Sequence, residues 1–172
     1  MQGCPSGLIG NEPVELSEGL LKLVNEHPPL RELLENLSSL CKKVEMEEEK
    51  EASFKQLIEE VIDFSTKLEY HSGREEDYLF RMMEVYIGKE SGPIAVMEYE
   101  HEQAKGFISK FMQNTKSPSQ LTPDEMVNNS TLIKNAYYTL LDHFAKEEQV
   151  LYPMAERMLS QEEKETLTQK IS

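Results

Sequence analysis

Basic residues are scarce in this chain: 18 Lys+Arg stand against 32 Asp+Glu, a formal net charge of -14 over 172 residues. A protein that acidic has no basic footprint to offset phosphate repulsion, which argues against nucleic acid and against anionic membrane surfaces as partners. Long apolar runs are missing as well. Nothing approaches the roughly 18–20 apolar residues a membrane span needs, and the opening MQGCPSGLIGNEPVEL has neither the basic start nor the apolar stretch of a secretion signal. A soluble, cytoplasmic protein is the expectation. Cysteine is limited to Cys4 and Cys41, too few and too far apart for a disulfide framework or a CxxC metal clip. Sustained period-two alternation is absent too, which disfavours a sheet.

What remains is helical. Residues 1–16 form an irregular arm broken by Gly3, Pro5, Gly7, Gly10 and Pro13. A short helix from about Ser17, a capping serine, to Glu26 is expected next. A new helix should start at His27-Pro28-Pro29, since proline is tolerated in a first turn and disruptive later. It carries Leu30, Leu34, Leu37, Cys41 and Val44 at helical spacing to about Glu48, and the charged run 45–51 reads as a turn. A second long helix, about Ala52 to Ile87, has the stripe Leu57, Val61, Phe64, Leu68, His71, Glu75, Leu79 and Met82. Gly73 inside it costs roughly 1 kcal/mol against alanine. The third, about Ile94 to Asn114, aligns Ile94, Met97, His101, Ala104, Ile108 and Met112. The fourth opens on a Thr122/Glu125 capping box and runs from Pro123 to about Met158 through Leu132, Ala136, Leu140, His143, Glu147, Leu151 and Met154. A second capping box, Ser160 to Glu163, begins a short terminal helix. The sum is an all-α, up-down-up-down antiparallel four-helix bundle over 17–160, with the arm before it and residues 161–172 after it.

Only four histidines occur, and each long helix receives one. Antiparallel helices place residues equidistant from their turn at one height. The midpoint of His27 and His71 is 49, that of His101 and His143 is 122, and that of His71 and His101 is 86, each in or near a predicted turn. All four imidazoles therefore fall in one layer, facing inward with the apolar stripes. HSGREEDYLF from His71 and HFAKEEQVLY from His143 are near-copies, and the glutamate four residues after each histidine, Glu75 and Glu147, shares its face. Two buried carboxylates without a matched cation are costly, and a metal cation is the simplest compensation. Neighbouring residues able to orient those ligands from behind are Glu26, Tyr70, Glu76, Glu100, Asp142 and Glu148. Lys105 either reaches an open metal position or lays its stem on the bundle with its ammonium in water. Six nitrogen and oxygen donors without thiolate exceed what one tetrahedral zinc requires and suit a pair of first-row ions, iron first and manganese as runner-up.

These residues resemble the hemerythrin, or HHE cation-binding, family: Glu26-His27; His71-x-x-x-Glu75 with Leu79-Phe80; Glu100-His101; and His143-x-x-x-Glu147 with Leu151-Tyr152-Pro153. The resemblance covers about residues 15 to 160. It implies two non-haem irons, oxo- or hydroxo-bridged when oxidised, with Glu75 and Glu147 bridging and the four histidines completing the shells. Oxygen-carrying hemerythrins have a fifth histidine where this chain has Lys105, and an aspartate where it has Glu148. The four-His, two-Glu set is closer to di-iron proteins that repair iron–sulfur clusters. Expected ligands are O2, NO or peroxide, in binding or sensing, redox chemistry or cluster repair; protein partners are not specified. Iron storage or delivery, a di-manganese protein, and a metal-free helical interaction module are the alternatives. No hydrolase or transferase motif is present.

Overall fold

The computed structural model describes residues 13–47 and 49–172. Most of the predicted arm, including Cys4, lies outside the described residues, as does Glu48. The elements are α1 (Glu18–Glu45), α2 (Lys50–Arg74) continuing through a π-helical turn (Glu75–Leu79) into α3 (Phe80–Ile87), α4 (Pro93–Asn114), α5 (Pro123–Lys146) continuing through a second π-helical turn (Glu147–Leu151) into α6 (Tyr152–Met158), and α7 (Gln161–Ile171). Counting α2–α3 and α5–α6 as single rods, four antiparallel rods pack in the cyclic order α1, α2–α3, α4, α5–α6, and α7 folds back on α1. Among the described residues there is no strand.

The predicted break at His27-Pro28-Pro29 does not occur, and α1 runs straight through both prolines. Each proline removes one backbone donor and costs on the order of 3 kcal/mol in a helix interior. Both lie on the exposed side of α1, and the carbonyls left without partners belong to exposed Asn25 and half-buried Val24, where water can reach. On the opposite face Leu20, Leu23, Leu30, Leu34 and Leu37 are all buried. At about 1.5–3 kcal/mol for each such side chain, that packing outweighs the loss. Ser17 does occupy the cap position, but its side chain caps nothing; its backbone N–H donates instead to Glu156 Oε2 at 2.7 Å. The charged turn forms as expected, with Glu47 and Glu49 at positive φ. Both predicted capping boxes, Thr122/Glu125 and Ser160/Glu163, are fully made.

The π-turns explain a second departure. The rows His71, Glu75, Leu79, Met83 and His143, Glu147, Leu151, Ala155 are buried throughout, each stepping by four residues. In an unbroken α-helix three such steps overshoot a straight row by roughly 120°. One residue absorbed in a π-turn removes about 100° of that drift. The row predicted to end on Met82 and Met154 therefore ends one residue later in both rods, on Met83 and Ala155. Phe111 and Ile133 likewise take the core places expected of Met112 and Leu132, which pack at its edge.

Apolar packing divides into two clusters. One contains Leu30, Leu34, Phe54, Val61, Phe64, Ile108, Phe111, Leu140 and Phe144. The other contains Leu20, Leu23, Leu79, Phe80, Met83, Ile94, Leu151 and Tyr152, and α7 adds Leu167 and Ile171 to it. Between them lies one layer holding four imidazoles and two carboxylates.

Candidate metal centre

The layer predicted from the midpoints is present. His27, His71, Glu75, His101, His143 and Glu147 are each no more than 2% exposed, and their inner atoms converge. His71 Nε2 lies 3.0 Å from Glu75 Oε1. His143 Nε2 lies 2.8 Å from Glu147 Oε1, and His27 Nε2 lies 3.1 Å from Glu147 Oε2. His101 Nε2 stands 3.8 Å from one oxygen of each glutamate, and the Nε2 atoms of His27 and His71 are 3.2 Å apart. Two groups of donors are close enough to share an ion, His27–His71–Glu147 and His101–His143–Glu147.

Each imidazole is fixed from behind by a carboxylate on another rod. His27 Nδ1 contacts Glu148 at 2.8 Å, His71 Nδ1 contacts Glu26 at 2.6 Å, His101 Nδ1 contacts Glu76 at 2.7 Å, and His143 Nδ1 contacts Glu100 at 2.9 Å. The contacts close a cycle: α1 holds the histidine of α2, the first π-turn holds that of α4, α4 holds that of α5, and the second π-turn holds that of α1. A proton placed on Nδ1 to satisfy the carboxylate leaves the Nε2 lone pair directed inward, as a ligating imidazole requires.

A further ring of cations sits outside the carboxylates. Arg31 reaches both oxygens of Glu148 at 2.7 and 3.0 Å, and Arg74 both oxygens of Glu26 at 2.5 Å. Lys105 contacts Glu76 at 3.2 Å, and Lys146 pairs with Glu100. Burial works against charge on Glu26, Glu100 and Glu148, yet the histidine and cation at each hold the carboxyl below its ordinary range. At Glu76 the hydrogen bond with His101 is the leading cause of the same downward shift.

Inside, compensation is incomplete. Burial and the nearby Glu75 charge push Glu147 up to about 8. Burial opposes ionisation of Glu75 also, but His71 and His101 hold it low. Burial pulls His71 down, and the Glu75 charge and the Glu26 contact override it to about 10. Even so, Glu75 Oε1, both oxygens of Glu147 and His143 Nε2 are buried without a hydrogen bond: the Nε2 atoms of His71, His143 and His27 lie against these oxygens at 3.0, 2.8 and 3.1 Å, and with each proton on Nδ1 they present lone pairs rather than hydrogens. Orphaned buried polar atoms are rare in native folds and call for a missing partner. Here all four converge on one space, and the donor set is imidazole and carboxylate only, which fits a first-row transition ion. Cys41 takes no part; it lies in the first apolar cluster with its thiol on the Ser130 carbonyl at 3.4 Å.

Of the supporting residues expected from sequence, Glu26, Glu76, Glu100 and Glu148 are in place. Tyr70 and Asp142 are not brought to the centre: Tyr70 is exposed under the Arg74 guanidinium, and Asp142 is exposed and paired with Lys146. Lys105 points away from the inner layer, shared between Glu76 and Glu69. Sequence reasoning missed Arg31, Arg74 and Lys146. Their signal was a cation three or four residues after every histidine. It also gave no site role to Tyr152, whose buried hydroxyl donates to Glu75 Oε2 at 2.8 Å and stands 3.3 Å from His27 Nε2.

The profile of the hemerythrin HHE cation binding domain matches residues 19–155, and the chain belongs to that family. Membership makes it a non-haem metal-binding protein, and the two His/Glu groups are where its donors converge. It is 31% identical over 139 residues to the iron-sulfur cluster repair protein YtfE of Escherichia coli O157:H7, covering 77% of this chain and 62% of that protein. It is 30% identical, with the same coverage, to the YtfE proteins of Escherichia coli O139:H28 and Shigella boydii serotype 18. The chain thus spans 62% of the length of these curated relatives. Among the described residues no helix is long and apolar enough to cross a membrane.

Proposed function

We propose that the centre holds two iron ions, one on His27 and His71 and one on His101 and His143, with Glu75 and Glu147 shared between them, and that it serves the repair of oxidatively or nitrosatively damaged iron–sulfur clusters. The observation that carries this reading is the set of four buried donor atoms that crowd one space without a hydrogen bond between them. When bound, an iron pair supplies one-electron chemistry and a coordination position for O2, NO or peroxide. The chain's own contribution is arrangement. The carboxylate cycle fixes each Nδ1 proton, the two apolar clusters exclude water on both sides, and Tyr152 offers the inner layer a hydroxyl proton. The repair assignment is supported by likeness to the YtfE proteins.

Iron content and visible spectra in both redox states test this reading, with NO added to the reduced protein. Two irons per chain and a spectrum that changes with NO are expected; protein that binds no iron on anaerobic reconstitution would reject it. His101→Ala should lower the iron content, and wild-type stoichiometry in that variant would remove His101 from the centre.

A further inference from the structure

The two halves of the centre are near-copies in sequence but not in support. His71-x-x-Arg74-Glu75-Glu76-x-x-x-Phe80 matches His143-x-x-Lys146-Glu147-Glu148-x-x-x-Tyr152, and Glu26-His27-x-x-x-Arg31 matches Glu100-His101-x-x-x-Lys105. The differences all fall the same way. Around His27 and His71 the outer cations are arginines. Arg31 grips both oxygens of Glu148. Arg74 grips both of Glu26 and is itself fixed by the carbonyls of Tyr70 at 2.9 Å and Ile171 at 3.0 Å. Around His101 and His143 they are lysines, each divided between two acids: Lys105 between Glu76 and Glu69, and Lys146 between Glu100 and Asp142. Exposure separates the Arg74 side chain, at 10%, from the Lys146 side chain, at 41%. Arg31 and Lys105 are similarly exposed, at 32% and 27%, so there the difference is two-point against one-point contact.

Packing repeats the bias. Phe144 stacks on His27 with centroids 4.5 Å apart, and it reaches His71 and His143 equally, at 6.1 Å, so the bias lies in the His27 stack. The residue matching it in the other half is Ser72, whose hydroxyl is spent on the Leu68 carbonyl. Tyr152 adds a hydroxyl bond to Glu75 beside His27, whereas its counterpart Phe80 only stacks on His101 at 5.7 Å. A planar guanidinium holding a carboxylate at two points fixes the attached imidazole's direction; an ammonium shared between acids lets it swing.

We propose that the two metal positions are unequal: the His27/His71 position retains its ion, and the His101/His143 position releases and exchanges its ion first. This rests on the di-metal reading above and says which iron the chain can give up. The cations act as positioning residues, through the carboxylates, on imidazoles they never touch. Partners of ligating histidines typically change metal affinity by about 10- to 100-fold, so the two release rates should differ on that order.

The test is anaerobic chelator challenge of the ferrous-loaded full chain, following released iron by absorbance with circular dichroism as a fold control. Two phases of equal amplitude are expected. His101→Ala should keep one slowly released ion, and His71→Ala one rapidly released ion. Lys105→Arg with Lys146→Arg should slow the fast phase several-fold, and Arg31→Lys should speed the slow one, all with an unchanged circular dichroism spectrum. Release of two ions in a single phase, or a slow phase assigned to His101 and His143, overturns the ranking alone. Failure of the wild-type chain to bind two ions overturns both the ranking and the reading beneath it.

Discussion

A carboxylate gripped by a cation on one side and an imidazole on the other is a directional device, because each contact removes a degree of freedom from the next. Four such relays surround the inner layer, and each uses only short-range contacts between neighbouring rods. The six inner residues were legible in sequence because helical rise and facing alone place them together. The relays were not, since a carboxylate's partner across a helix interface depends on rod order and rotation, which spacing within one helix does not encode. Tyr70 and Asp142 show the converse: they adjoin histidines in sequence but lie on outward faces. Cys41 offers a test at this scale. Burial pushes its thiol up to about 12, while an unfolded cysteine ionises near 8.5. The folded thiol should therefore resist alkylation at pH 8 and react on denaturation, as peptide mass spectrometry would report. The unfolded chain sheds this proton first, so the thiol's contribution is full below about pH 8.5 and is lost as pH rises towards 12, by up to roughly 1.4 kcal/mol per pH unit. Cys41→Ala should flatten that part of the alkaline stability profile measured by urea unfolding.

Among the elements, the paired π-turns set the inward row straight where it matters. Their trace in the sequence was the run of strict four-residue steps after His71 and after His143, a pattern an ordinary α-helix cannot keep on one face. The prolines of α1 gave the opposite signal, a break that surrounding leucines overrode, because burial on the far face is invisible to a local rule. Asp77 lies exposed in the first π-turn. Deleting it should restore α-helical pitch, keep helix content by circular dichroism, and cut bound metal by swinging Glu75 and Glu76 away from their partners. A deletion variant with full metal content would refute a role for the turn. Gly106 sits in the interior of α4 with open space where a Cβ would go. Gly106→Ala should raise unfolding free energy by about 0.5–1 kcal/mol in urea titration, without altering metal content.

For the whole molecule, the bundle was readable from four apolar stripes and their turns, whereas the docking of α7 was not, because its apolar residues are few. Leu167 and Ile171 enter the second apolar cluster, and the Ile171 carbonyl receives Lys22 and Arg74. A layer of buried carboxylate oxygens and imidazole nitrogens crowded together without hydrogen bonds should leave the metal-free protein weak. Adding ferrous iron anaerobically to stripped protein should raise the melting temperature by several degrees, since a ligand bound only by the folded state adds stability by mass action. An unchanged melting curve would mean that the layer needs no ion.

The rod order α1, α2–α3, α4, α5–α6 puts the first two rods across from the last two, and each pair supplies two imidazoles, one inner glutamate, two outer acids and two cations at matching spacings. Half of this chain therefore already specifies every kind of residue the centre uses, and two identical halves set about a twofold axis would complete the same cycle. What the duplicated length adds is licence for the halves to differ: a single chain can carry arginine on one side and lysine on the other, which a symmetric dimer never could.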